Sequence, residues 1–234
     1  MEVYFILVNP AIPENVGSSA RAMNTMGFKN LRLVNPCDYL NDNARTLAHG
    51  SYEILEQAEV FPSLGKALND IEFSIGTTAK ERSAKYDYHH CSKLPEILKR
   101  KGQSVNHAAL VFGREESGLT NEEISMCDLV TTIPMVASYP SLNLSQAVMI
   151  YAYTLAGTSE YQSSKSAIRD ETGSYKALKT KIGKILNNTG IRNNPTLFSR
   201  IMERIAYLGE DDIHLLHSIT NEIILKFKNE DFRP

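Results

Sequence analysis

No apolar run in this 234-residue chain exceeds seven residues, the stretch 147–153. A membrane span needs roughly 20, so no segment is expected to cross a bilayer. Cysteine is scarce too. Cys37, Cys91 and Cys127 are an odd count, far apart, with no CxxC pair. That pattern points to free thiols in a reducing compartment and to no structural zinc. The N-terminus carries Glu2 where a secretory signal would be basic, and its apolar stretch is short. A cytoplasmic protein is expected. Net charge is nearly absent, because 25 basic and 27 acidic residues leave −2. With 42% hydrophobic residues, such a chain folds rather than staying disordered. Standard phosphate loops are missing: there is no GxxxxGK run, and no GxGxxG follows the first predicted strand. The second predicted strand ends in Asn35-Pro36, not in an acid that would hold a ribose. That argues against a dinucleotide-dependent dehydrogenase.

The small net charge hides a split. Residues 1–159 hold 13 basic and 17 acidic residues, whereas 160–234 hold 12 and 10. The window 165–204 holds nine basic residues and three acids. Such a window either contacts a polyanion through its phosphates or forms a solvated helix face. Between the halves, nine of the 18 residues in 157–174 are Gly, Ser or Thr, the composition of a linker. The expected organisation is a first domain over 1–158, a linker over 159–174 and a C-terminal extension over 175–234.

The first half alternates between strand and helix patterns. Residues 3–8, 31–34, 71–75, 108–112 and 129–133 read as strands, the first as a continuously apolar run of the kind covered on both faces. Residues 15–26 read as a helix closed by Gly27, and 144–155 as a strongly apolar helix. Thr120 to Glu123 is a capping-box pattern opening a short helix to Met126. Alternation of this kind predicts an α/β fold with a mostly parallel sheet. The C-terminal part shows no strand signal. Its helices are expected over 175–186, 195–208 and 211–227, with Asn194 and Asp211 as caps and Pro195 at the first helical position.

Three loops leave strands with glycines and small polar residues: 76–80, 113–118, and Ile133-Pro134 followed by 138–144. Ligands of open α/β sheets sit at the carboxyl ends of the strands, and glycine there admits a close approach. Together the three loops form a candidate pocket rim. Arg21 lies in a predicted helix with Gly17 and Ser18 on its face, where its guanidinium is open to a phosphate or carboxylate. The histidines are less informative. His214 and His217 are three apart and His89-His90 adjacent, but no Cys or carboxylate cluster accompanies them. They read as ordinary helix and loop histidines, with no metal site.

Taken together, these segments resemble a known family. Asn9-Pro-Ala-Ile-Pro-Glu-Asn15-Val-Gly17-Ser-Ser-Ala-Arg21 resembles the first motif of the SpoU branch of the SPOUT methyltransferases. Leu110-Val-Phe-Gly113-Arg-Glu115-Glu-Ser-Gly-Leu resembles the second, and Ile133-Pro-Met with Ser141-Leu-Asn143-Leu-Ser-Gln resembles the third. All three occur in order. Within the branch, Gly76-Thr-Thr-Ala-Lys and the helical extension are similar to the TrmJ group, which 2′-O-methylates a ribose in the tRNA anticodon loop, at nucleotide 32.

The resemblance implies a SPOUT fold with a deep C-terminal trefoil knot, a small all-helical appendage and a homodimer. It implies S-adenosylmethionine as cofactor and tRNA as partner, with no metal and no membrane. By motif position, Thr77, Thr78, Gly113, Ile133, Pro140, Ser141 and Leu142 would hold the cofactor. Arg21 and Ser141 would be catalytic, and Asn15, Glu115 and Asn143 would orient them or serve as structural hydrogen bonds. Arginine stays protonated in proteins, so Arg21 is expected to clamp a phosphate and stabilise the developing oxyanion rather than to act as a base. Pro140 carries no amide donor, so a contact there must use its carbonyl or ring. Two alternatives stay open: 2′-O-methylation of ribosomal RNA, and a non-catalytic RNA-binding protein of the same fold.

Overall fold

The computed structural model describes residues 1–79, 87–136, 142–157 and 174–229. Its centre is built from the continuously apolar segments. The strands are β1 (Glu2–Val8), β2 (Asn30–Val34), β3 (Glu59–Phe61), β4 (Phe73–Thr78), β5 (Tyr88–His90), β6 (His107–Phe112) and β7 (Leu129–Thr132). They form one parallel sheet in the order β3-β2-β1-β6-β4-β7-β5. Alternate residues of one strand enter two cores. Phe5 and Leu7 of β1 join Ala108, Leu110 and Phe112 of β6 on one face, while Ile6 and Val8 join Ala109 and Val111 on the other. Cover on both faces explains why these strands are apolar throughout.

The larger face is covered by α1 (Pro13–Thr25), α2 (Asp42–Ala48), α3 (Tyr52–Glu56), α5 (Leu94–Lys101) and α7 (Leu144–Ala156). The smaller face carries α4 (Leu64–Ala67) and α6 (Asn121–Ser125). α1 starts two residues before the expected position because Pro13 suits a first helical turn. Gly27 follows its end with φ +84°, as expected. The capping box at α6 forms in full: Glu123 N–H donates to Thr120 Oγ1 at 3.1 Å, and Thr120 N–H donates to Glu123 Oε2 at 2.7 Å. The sequence patterns did not reveal β3 and β5, which are three residues each and lie at the two sheet edges.

The C-terminal part is helical: α8 (Tyr175–Asn188), α9 (Pro195–Ile205) and α10 (Glu210–Asn229). Asn194 caps α9 by accepting from Leu197 N–H at 3.1 Å. Asp211 does not cap α10, which begins one residue earlier. Instead, Asp212 accepts from Gly209 N–H at 3.4 Å. These helices share the larger core. Tyr175 and Leu178 are wholly buried in it, and the Tyr175 ring meets Phe73 of β4 edge-on at 5.5 Å. The expected C-terminal trefoil knot falls in a part of the chain that includes residues 137–141, which lie outside the described ones.

Candidate active site

The sheet order places β4 between β6 and β7. The three loops singled out in sequence therefore leave three adjacent strands at the same end of the sheet. A cleft of about 270 Å³ opens there. Thr77, Thr78, Gly113, Ile133 and Leu142 all line it. Pro140 and Ser141 lie outside the described residues. The Thr77 hydroxyl is turned inward and donates to the Val111 carbonyl at 2.9 Å, tying the end of β4 to β6.

Gly113 has a structural reason beyond ligand access. The loop 113–118 folds back on itself, with Gly118 N–H donating to Arg114 O at 2.9 Å. A Cβ on Gly113 would stand 2.0 Å from the Gly118 carbonyl carbon. Only glycine allows this return.

Tyr151, which the motifs did not point to, also lines the cleft. It shares one face of α7 with Leu144 and Ala147, at positions i, i+3 and i+7. That spacing was the signal available in the sequence. Its hydroxyl is 2.9 Å from Thr131 Oγ1, and burial pushes its pKa above the usual tyrosine range. The wall is thus apolar (Phe112, Ile133, Leu142, Tyr151), while the rim is polar and charged, with Glu115 and Glu116 beside Arg114, whose guanidinium is paired with Glu123 at 3.0 Å. An amphipathic nucleoside bearing a positive group fits such a lining.

Asn15, Glu115 and Asn143 come from three separate motifs and meet in one hydrogen-bonded chain. Glu115 accepts from Asn15 Nδ2 at 3.0 Å and from the amides of Ala11 at 3.1 Å and Ile12 at 3.2 Å. Asn143 Nδ2 in turn donates to Asn15 Oδ1 at 2.8 Å. Burial alone would raise the Glu115 carboxyl. The donors from Asn15, Ala11 and Ile12 outweigh it and hold the carboxyl below its usual range. Asn143 also caps α7, its Oδ1 accepting from Ser145 N–H at 2.8 Å. One network therefore joins the start of α1, the loop after β6 and the start of α7.

Arg21 stands on the exposed side of α1, outside the lining of the cleft. The expected open face of small residues beside it is not what Gly17 provides. Gly17 is buried under α2, where a Cβ would come within 2.1 Å of the Ala44 carbonyl oxygen. Its smallness serves helix packing, and of the two small residues Ser18 alone is partly open.

Several basic residues of the C-terminal helices are paired with groups of the first half. Lys179 pairs with Asp128 at 2.7 Å, and Arg200 and Arg204 each reach Asp87 at 2.9 Å. Lys176 donates to the Asn69 carbonyl. Lys184 and Arg192 are exposed. His217 is structural: its Nε2 meets the Ser174 carbonyl at 3.0 Å and its Nδ1 meets Lys181 Nζ at 3.1 Å. Burial pushes the Cys127 thiol up, well away from the range of a reactive thiolate. Among the described residues, no three His, Cys, Asp or Glu side chains are grouped to hold a metal, and no helix is long and apolar enough to cross a membrane.

Comparison with known proteins agrees with this geometry. The SpoU rRNA Methylase family model matches residues 2–153, and a model of the C-terminal domain of the tRNA/rRNA methyltransferase LasT matches residues 172–227. The chain is 42% identical over 224 residues to the uncharacterized tRNA/rRNA methyltransferase LasT of Escherichia coli K12, covering 95% of this chain and 97% of that one. It is 39% identical over 155 residues to the tRNA (cytidine/uridine-2′-O-)-methyltransferase TrmJ of Photorhabdus laumondii, covering 65% of this chain and 63% of that protein. The crystal structure of TrmJ from Z. mobilis ZM4 superposes with a TM-score of 0.66 at 25% identity, covering 95% of this chain and 99% of that one. The three motifs, the parallel sheet that gathers their loops and the matched span of 2–153 lead to one assignment: this chain belongs to the SpoU rRNA methylase family.

Proposed function

We propose that this protein transfers a methyl group from S-adenosylmethionine to a ribose 2′-hydroxyl of tRNA, at nucleotide 32 of the anticodon loop. The observation that carries the reading is the convergence of Thr77, Thr78, Gly113, Ile133 and Leu142 on one cleft with an apolar wall and a charged rim. The cofactor supplies the electrophilic methyl carbon, and the protein supplies alignment and charge stabilisation. The apolar wall formed by Phe112, Ile133, Leu142 and Tyr151 would take the adenosine and exclude water. Glu116 on the rim would favour a positively charged ligand. Asn15, Glu115 and Asn143 would fix the start of α1 against the cofactor loops, and with it the helix that carries Arg21.

Arg21 would hold the phosphate beside the target ribose and stabilise the 2′-oxygen as it loses its proton. Its exposed position on α1 suits a group that meets a macromolecule rather than a buried ligand. Ser141 would position the ribose or relay the proton. A homodimer, a trefoil knot and the division into 1–158, 159–174 and 175–234 belong to the same reading.

The test incubates the protein and its Arg21→Ala variant with labelled S-adenosylmethionine and unmodified tRNA, then maps the labelled nucleotide. The expected result is label on the 2′-oxygen of nucleotide 32. In the variant the rate should fall about 10²–10³-fold, by analogy with the loss of an oxyanion donor. Transfer to ribosomal RNA fragments but not to tRNA would favour the second reading, which the family's description as rRNA methylases supports. RNA binding with no methyl transfer to either would leave a non-catalytic RNA-binding protein.

A further inference from the structure

Among the described residues that line the cleft, only Tyr151 has a side chain that is both polar and buried, at 1% exposure. Its hydroxyl stands 2.9 Å from Thr131 Oγ1. Thr131 Oγ1 in turn donates to the Gly76 carbonyl of β4 at 3.5 Å. With its own proton spent there, the Thr131 oxygen accepts from the phenol. Burial keeps that phenol protonated and able to donate. On β6, Phe112 meets the Tyr151 ring edge-on at 5.5 Å.

Each of these contacts falls beside a residue expected to hold the cofactor. Thr131 is the sheet partner of Thr77 and lies two residues before Ile133. Phe112 directly precedes Gly113, and Leu142 lies just ahead of α7, the helix that carries Tyr151. One side chain thus joins α7 to β6 and β7, and through Thr131 to β4, where the three loops leave the sheet. An apolar residue could fill the same space. A hydroxyl must find a partner when buried, and a satisfied buried hydrogen bond fixes one arrangement where packing alone allows several.

We propose that Tyr151 is a positioning residue for S-adenosylmethionine: held by Thr131, its ring keeps the apolar wall at the spacing the adenosine requires. The proposal rests on the methyltransferase reading above and adds a hydrogen bond that sets cofactor affinity without reaching the cofactor. Thr131 does not line the cleft, so its effect passes through Tyr151.

Calorimetric titration of the full chain with S-adenosylmethionine, combined with steady-state KM and kcat, tests this. Tyr151→Phe keeps the ring and removes the donor, and Thr131→Val keeps the shape and removes the acceptor. Each should weaken cofactor binding about three- to tenfold, the effect of one hydrogen bond. The loss should fall on KM for the cofactor rather than on kcat. Because both variants remove the same bond, the double variant should lose no more than either alone. Thr131→Ser, which restores the hydroxyl, should bind as the wild type does. Unchanged affinity in Tyr151→Phe, even with a lowered Tm, would overturn the role and leave Tyr151 a core residue. Additive losses in the double variant, or Thr131→Ser binding as weakly as Thr131→Val, would equally count against it. Should Thr131→Val not fold, the affinity of Tyr151→Phe decides alone. A wild-type chain that binds no S-adenosylmethionine would overturn the methyltransferase reading itself, and this role with it.

Discussion

Glu115 and Lys101 show how a single side chain takes its properties from its neighbours. Glu115 is held ionised by Asn15 and two backbone amides. Its folded pKa lies below the ordinary value of 4.5, so its contribution is fully present above that value and lost as pH falls through the lowered one. Ala11 and Ile12 are exposed, so water can replace part of what Glu115 accepts. Glu115→Ala should therefore cost about 1 kcal/mol rather than 3, read as a shift in urea midpoint at pH 7. The shift should shrink toward pH 3.

Lys101 is the opposite case. It is fully buried, donates to the Leu208 carbonyl at 3.0 Å and lies over the rings of Phe73 at 4.6 Å and Tyr175 at 4.2 Å. No carboxylate touches it among the described residues. Burial pushes its pKa down to about 7, although Asp128 nearby pulls the other way. Between that value and the ordinary 10.5, the unfolded chain holds a proton that the folded chain releases. Stability should thus rise with pH from about 7 to about 10.5, by at most about 1.4 kcal/mol per pH unit. Lys101→Met should flatten that slope in urea titrations at successive pH values. An unchanged slope would show that Lys101 stays protonated.

At the scale of elements, the caps of α6 and α9 were legible because they are local, whereas the one expected at Asp211 fell inside α10. Asn194 and the Thr120–Glu123 box use side chains and amides within three residues of each other, so their pattern survives without tertiary context. β3 and β5 were not legible. Glu59–Phe61 and Tyr88–His90 are too short to show a period, and they are strands only because β2 and β7 offer free edges. Asn143 has two jobs, and a comparison separates them. Asn194→Ala removes only a cap and should cost about 1 kcal/mol with methyl transfer unchanged. Asn143→Ala should cost a similar amount. Because it also breaks the link to Asn15, it should in addition lower kcat. Equal activity in the two variants would reduce Asn143 to a cap.

For the whole molecule, the charge split between the halves works as a docking device. Asp87 and Asp128 of the first half meet Arg200, Arg204 and Lys179 of the second. Exposed pairs contribute little, about 0–1 kcal/mol each. Apolar burial contributes more, since Tyr175, Leu178, Ile205 and Ile213 enter the same core as Phe73 and Leu98. One continuous core predicts a single cooperative transition in differential scanning calorimetry. Two resolved transitions would show that the helices unfold independently. Raising salt should lower the midpoint only slightly, because screening reaches the ion pairs and not the core.

The sequence alone determined the α/β class, the principal strands and helices, the caps at Thr120 and Asn194 though not one at Asp211, and the three motif loops. Each of these depends on nearest neighbours or on a repeating period. It also marked Asn15, Glu115 and Asn143 as important without saying that they touch. Only the tertiary structure decided that β4 lies between β6 and β7, which brings the loops to one cleft. It also decided that Gly17 is small for the sake of Ala44, that Tyr151 lines the cleft, and that Lys179, Arg200 and Arg204 of the basic window pair with carboxylates of the first half. The physical reason is common to all of these. Strand order, close approach and ion pairing join residues 27 to 128 positions apart, as Gly17 with Ala44 and Asn15 with Asn143 show. No local pattern encodes a contact at such separations until the chain has folded.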